Sequence, residues 1–312
     1  MLSIGFIAVP HFQVMNFAAM SAFEVANLTA KDKFYDLQII SEAGGRVTSS
    51  VGISVETEPF SKKVYDTVIV SGSPHIGPPS AKLNKFLKNA SKVSRRVSAI
   101  CTGTFILAHA GLLDGRRATT HWIFANEFKK NFPQVKMEED RIYIIDGSIW
   151  TSAGMSAGVD LALGMIEKDL GADMARIVAR KLVVYHRRAG GQSQHSTLLD
   201  LDAKSDRVQT ALDYAKKNLH KELSVEQLAE AAHLSTRQFS RAFRLETGKS
   251  PAKAVEHLRV EAARVMIESG CHSLDTVARE TGFADRERMR RSFVRIVGQP
   301  PQEVRRHARE AA

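Results

Sequence analysis

With 312 residues, 44% of them apolar and 25% charged, the chain has material for two ordinary cores and the balance of a globular protein. No apolar run approaches the roughly 18 residues of a membrane-spanning helix. The first residues carry no basic stretch ahead of their apolar run, which argues against a secretory signal. A formal charge of +10 favours a polyanionic partner, and only two cysteines, Cys101 and Cys271, exclude a disulfide framework and fit a reducing cytoplasm.

Taken in chain order, residues 2–9 read as a buried strand, 17–28 as an amphipathic helix and 37–40 as a second strand. Residues 67–70 form a strand that ends in the turn cluster Ser71-Gly72-Ser73-Pro74. A helix is expected over 81–90, a strand over 96–100, and a long helical pattern from Ser156 to about Arg188 with one break near Gly171. Strands alternating with helices predict a mostly parallel sheet covered on both faces. From Ala189 the apolar period stops and Gly, Ser and Gln take over, so three parts are expected: 1–188, a linker over 189–206, and 207–312.

The last part reads as wholly helical and contains a repeat. Leu228-Ala229 and Leu234 match Val277-Ala278 and Phe283 at an offset of 49, whereas Phe239, Arg241, Phe243, Gly248 and Pro251 match Met289, Arg291, Phe293, Gly298 and Pro301 at 50. Each unit is a short helix, a tight turn and a second helix. Ser224 and Ser273 are suitable N-caps, Gln227 making a capping box with the first, and Gly282 supplies one turn where His233 stands in the other. Phe239, Phe243 and Leu245 are expected to face the core in the first unit, and Met289, Phe293 and Ile296 in the second. The opposite faces carry Ser235, Thr236, Arg237, Gln238, Ser240, Arg241 and Arg244, and Asp285, Arg286, Arg288, Arg290 and Arg291. Such side chains pair with base edges and phosphates, Arg best with guanine and Gln with adenine. One arginine-rich face is usually only a solvated surface; two repeated ones, with eight arginines against three acids in 286–312, point to double-stranded DNA. This region resembles the AraC family of bacterial regulators. The resemblance implies a helix from about Pro251 to Glu268 holding both units, and second helices in successive major grooves about one helical turn, roughly 34 Å, apart.

In the first part, Ala99 to Phe105 places Cys101 between a strand and a helix. Such an elbow exposes a thiol and aims it at a helix N-terminus, which lowers its pKa. His121 follows twenty residues on, and a Cys–His pair is the minimum for nucleophilic catalysis. The segments Cys101-Thr102-Gly103, 108–115, Thr119-Thr120-His121-Trp122, Thr151-Ser152-Ala153-Gly154 and 190–193 resemble the class I glutamine amidotransferase-like superfamily, in the GlxA-like branch fused to AraC-type domains. That resemblance implies a flavodoxin-like α/β sandwich. Active relatives hold an acid near the end of the first strand and paired glycines for an oxyanion; here stand Met15 and Asn16, and Ser71-Gly72-Ser73. The expected reading is therefore a non-enzymatic regulator, binding a small effector around Cys101, Thr102, His121, Ser71, Gly72 and Asn16. His75 is a further candidate, and Phe12, Trp122 and Trp150 would be aromatic walls for an amine. The resemblance further implies an amino acid or amine as effector, a homodimer, and activation through RNA polymerase at a promoter. A Cys-dependent amidase or hydrolase, or a thiol redox sensor, stays open as the alternative. The 11 histidines show no metal-ligand spacing, so neither metal nor cofactor is expected.

Overall fold

The computed structural model describes residues 1–184, 188, 190, 194, 205–268, 270 and 272–311. The expected linker lies almost entirely outside them, as do Cys271 and the motif residues 191–193. The chain divides into two compact units, Met1–Gln194 and His195–Ala312.

The first unit is built on strands β1 (Leu2–Ile7), β2 (Tyr35–Ser41), β3 (Gly45–Thr48), β4 (Ser54–Pro59), β5 (Thr67–Val70), β6 (Arg96–Ile100), β7 (Arg117–Ala118), β8 (Lys136–Met137), β9 (Tyr143–Asp146) and β10 (Ile149–Ser152). Its helices are α1 (Ala18–Thr29), α2 (Ala81–Val93), α3 (Gly103–His109), α4 (Ala125–Asn131) and α5 (Ala157–Lys181). Eight strands form one sheet in the order β3-β4-β2-β1-β5-β6-β10-β9, and β7 pairs with β8 alone. The inner strands are parallel, with Ile4 opposite both Leu37 and Thr67; β3–β4 and β9–β10 add antiparallel edges. β5, β6 and β10 are buried along their whole length, as strands covered on both faces must be. Successive side chains alternate faces. Ile4, Phe6 and Ile69 join Ala19, Phe23, Leu161 and Met165 beneath α1 and α5, whereas Ile7, Val68 and Val70 join Leu87, Phe105 and Phe128 beneath α2–α4. The expected break in the long helix is real: Gly171 has φ +86° inside α5. The β3–β4 edge escaped the reading of periodicity because its residues are short and mostly exposed, without one apolar face.

The second unit contains α6 (Asp206–Lys217), α7 (Val225–Ala231), α8 (Thr236–Thr247), α9 (Pro251–Glu268), α10 (Leu274–Glu280), α11 (Arg286–Val297) and α12 (Pro301–Ala311). It has two cores and one shared helix. Ala254, Val255 and Leu258 of α9 pack with Leu228, Phe239 and Phe243, while Val260, Ala263 and Ile267, further along, pack with Val277, Met289 and Phe293. Burying each large aromatic or aliphatic side chain contributes about 1.5–3 kcal/mol, so α9 is held at both ends. The repeat is legible in the backbone. Gly248 and Gly298 end α8 and α11 in the left-handed conformation, and Pro251 and Pro301 open the helices that follow. The one-residue slip is Ala284, inserted between the tight turn and the N-cap Asp285. One expectation fails: Leu245 is 84% exposed, because it lies two residues beyond Phe243, about 200° around the helix from the buried stripe.

Candidate effector pocket and DNA interface

Cys101 occupies the turn between β6 and α3 with φ +57°, a left-handed conformation that costs a non-glycine residue roughly 1–2 kcal/mol. Neighbours enforce it. Its N–H donates to Ser152 O at 3.1 Å, and its carbonyl accepts from Thr120 Oγ1 at 2.9 Å. Gly154, itself at φ +91°, lies so close that a Cβ there would fall 2.1 Å from that of Cys101. Gly103 is wedged likewise against the Val70 carbonyl.

The elbow was expected to expose the thiol and lower its pKa. Instead Cys101 is 2% exposed, and burial pushes the thiol up to about 11, with hydrogen bonds from Thr102 offsetting only part. Desolvation of a thiolate outweighs what a seven-residue helix contributes. The thiol is therefore neutral at pH 7. Alkylation of Cys101 by iodoacetamide should accelerate about tenfold per pH unit from pH 7 to 9 without a plateau; a plateau near neutrality, read by mass spectrometry, would show an activated thiolate.

Around this turn the structure brings together five of the six expected ligand residues: Asn16, Ser71, Gly72, Cys101 and Thr102. They are buried; Asn16 bonds Gly72, and the others are held by neighbouring backbone and side-chain groups. Thr102 Oγ1 accepts from Ser73 N at 2.8 Å and donates to Ser73 O at 2.6 Å. Ser71 N donates to Ile7 O, and Ser71 Oγ accepts from Val9 N at 3.3 Å. The amides of Ser71 and Ser73 are thus committed within the fold and unavailable to an oxyanion. Gly72 O accepts from both Gln13 N and Asn16 Nδ2. Asn16 is fully buried; its amide nitrogen also donates to Gln13 O, while its Oδ1 has no partner among the described residues.

Gln13 was not anticipated. Its Oε1 lies 3.7 Å from Cys101 Sγ, where the resemblance suggested an acid. The signal lay in its place just past a parallel strand's C-terminal end, the edge of such sheets where ligands gather. His11, also unanticipated, has φ +57° and meets the exposed His75 ring edge-on at 4.9 Å. His121 is half-buried and spends Nδ1 on its own turn, accepting from Ile123 N at 3.3 Å. Trp122 beside it is 47% exposed, its backbone N–H donating to Gln194 Oε1 at 2.9 Å. The other two aromatic candidates are buried, Phe12 packing on Phe17 and Trp150 lying under Arg96. Among the described residues, no group of three or more His, Cys, Asp or Glu is placed to hold a metal.

In the second unit the expected DNA-facing side chains share exposed faces of α8 and α11, with the local ends already tied. Ser235 and Gln238 form a capping box on α8, so part of their hydrogen-bonding capacity serves the helix itself. Asp285 is likewise the N-cap of α11, accepting from Arg288 N at 2.7 Å. Glu287 pairs with Arg290 at 2.8 Å and touches Arg291 at 4.0 Å. In α8, Arg237, Arg241 and Arg244 are likewise exposed. The turns differ as expected: Gly282 at φ +76° and His233 at φ +54°.

A doubly covered α/β unit joined to paired helix-turn-helix units, each offering an arginine-bearing second helix, defines a DNA-binding regulator. Residues 14–168 match the DJ-1/PfpI family and residues 228–307 a helix-turn-helix domain. The chain is 30% identical over 305 residues to the HTH-type transcriptional regulator CdhR of Pseudomonas aeruginosa, covering 96% of this chain and 90% of that one. It is 28% identical over 311 residues to the HTH-type transcriptional regulator GlxA of Rhizobium meliloti, covering 98% and 96%. The crystal structure of an AraC family transcriptional regulator from Pseudomonas putida superposes with a TM-score of 0.54 at 22% identity, spanning 58% of this chain and all of that one, a likeness of fold. The chain belongs to the family of HTH-type transcriptional regulators that join a DJ-1/PfpI, amidotransferase-like unit to an AraC-type DNA-binding unit, and it is a regulator, not an enzyme. Among the described residues, no helix is long and apolar enough to cross a membrane.

Proposed function

We propose that the first unit binds a small effector at the Cys101 turn and that this binding governs how the second unit occupies a promoter in the cytoplasm. The observation that carries the reading is Asn16. It is fully buried, its two donors are committed, and its acceptor Oδ1 has no partner among the described residues. A buried acceptor left unmade costs about 1–3 kcal/mol, and a donor from an ammonium or amide of an effector would recover it. That chemistry suits an amino acid or amine. With the thiol neutral and the Ser71 and Ser73 amides committed, the site favours binding over turnover. A homodimer that activates transcription through RNA polymerase completes the reading, with Ser235, Thr236, Arg237, Gln238, Ser240, Arg241 and Arg244 of the first helix-turn-helix and Asp285, Arg286, Arg288, Arg290 and Arg291 of the second helix-turn-helix at the DNA.

The test is a thermal-shift screen of the protein against amino acids and amines. A true effector at about 100 times its Kd adds about 2.7 kcal/mol to the stability of the state it binds. Asn16→Leu should lose that shift, and Cys101→Ser should keep it. Consumption of the compound by wild type but not by Cys101→Ser would replace a receptor with an enzyme. On the DNA side, Arg241→Ala and Arg291→Ala should each weaken operator binding by about 1–3 kcal/mol if the arginine reads a base; unchanged footprints in both would remove α8 and α11 from the interface.

A further inference from the structure

Between the two helix-turn-helix units lies a cleft of about 470 Å³. Its apolar lining includes Leu223 from the first unit, Val255 from α9 and Phe283 from the second. Around it stand five cations, Lys253 and Arg259 on α9 and Arg288, Arg291 and Arg295 on α11, against one acid, Glu256. Positions 288, 291, 292 and 295 share one face of α11 because helical neighbours recur every three to four residues. Arg259 is spent on structure, donating to Leu219 O at 3.2 Å and Lys221 O at 2.7 Å. Glu256 accepts from both Ser292 Oγ and Arg295 Nη2, so a single carboxylate sits where a hydroxyl and a guanidinium converge. Lys253 stands exposed three residues earlier on α9.

A hydroxyl and a guanidinium closing on one oxyanion, with a lysine beside them, is a phosphate-binding donor set occupied by an internal acid. We propose that this cleft seats the phosphodiester backbone of duplex DNA between the segments met by α8 and α11. Lys253, Ser292 and Arg295 are its phosphate ligands, and Glu256 is a built-in counter-charge that the DNA displaces. The inference rests on the reading that α8 and α11 both enter the DNA. If they occupy successive major grooves on one face, the strands bounding the intervening minor groove cross the space between the two units. Contacts there carry no base information; they add affinity that falls with salt. Glu256 costs affinity, since part of each phosphate contact is used to release Arg295 and Ser292.

The experiment measures binding of the full chain to a fluorescent random-sequence duplex of roughly 40 base pairs as KCl is raised, because each phosphate contact contributes a slope of about −0.9 in log K against log salt. The double variant Lys253→Gln/Arg295→Gln should lose nearly 2 from the magnitude of that slope and bind about tenfold more weakly near 0.15 M salt. Glu256→Gln should bind about threefold more tightly with a slope no shallower than wild type, a gain that misfolding cannot imitate. If both variants match wild type while Arg241→Ala and Arg291→Ala weaken binding, the cleft does not touch DNA and the proposal falls alone. If none of the four changes anything and Arg241→Ala and Arg291→Ala also leave operator footprints unchanged, the recognition-helix reading falls with it.

Discussion

Replacing Gly154 with alanine should destabilise the first unit by about 2–5 kcal/mol. Two costs combine. Gly154 has φ +91°, and a side chain there is strained by roughly 1–2 kcal/mol wherever it points. The new methyl would also lie 2.1 Å from the Cβ, 2.6 Å from the Cα and 2.7 Å from the Sγ of Cys101, so one of the two loops must move, and overpacking of this kind costs about 1–3 kcal/mol. Cys101 has little freedom to yield: its N–H and carbonyl are pinned by Ser152 and Thr120. Urea unfolding followed by tryptophan fluorescence reads the effect, since Trp122 and Trp150 both belong to this unit. A change under about 1 kcal/mol would mean the two loops are not locked together.

Gly282→Ala should be comparably damaging, with a different consequence. The turn between α10 and α11 closes against the loop joining α6 to α7: a Cβ on Gly282 would fall 1.9 Å from the backbone carbonyl of Leu219 and 2.8 Å from Nε of Arg259. The same Leu219 carbonyl accepts from Arg259. A carbonyl cannot rotate aside as a flexible side chain can, so the variant must separate the two units or lose the turn. The cost is about 3 kcal/mol or more once left-handed strain at φ +76° is added. Because the displaced contact joins the units that carry α8 and α11, DNA affinity should fall further than stability alone accounts for. Measuring DNA binding at a temperature where the variant remains folded separates the two effects. Loss of stability with full affinity would show that the Leu219 contact does not set the spacing of the helices.

Elements whose residues declare themselves locally were legible in the chain. Strand β5 is short, mostly apolar and ends in a turn cluster; the repeat gave α7–α8 and α10–α11 twice over. The Cys101 elbow followed from a strand running directly into a glycine-bearing helix start. What escaped depends on three-dimensional neighbours. Gln13 faces a thiol 88 residues away, and no local pattern marks that meeting. The thiol's pKa moved opposite to expectation because the side chain is buried, with Gly72 and Gly154 packed against it, and no local pattern shows that. Phe12 and Trp150 read the same in the chain whether exposed or buried, and only three-dimensional packing shows that both are buried. The capping box of Ser235 with Gln238 was written in the sequence, yet reading both as DNA contacts obscured it.

The shared helix α9 has one more consequence. It is continuous over 18 residues, about 27 Å at 1.5 Å per residue, and each half is embedded in a different core. A single insertion within it would turn one unit about 100° relative to the other, so the separation of the two reading heads is hereditary and nearly immutable. If α8 and α11 both read DNA as proposed, operators must conform to the protein in length as well as in letters. An added base pair between the two half-sites, a shift of about 3.4 Å and a rotation of about 35°, would be rejected as firmly as a wrong base, and silence at a promoter can arise from a deletion that alters no contacted nucleotide.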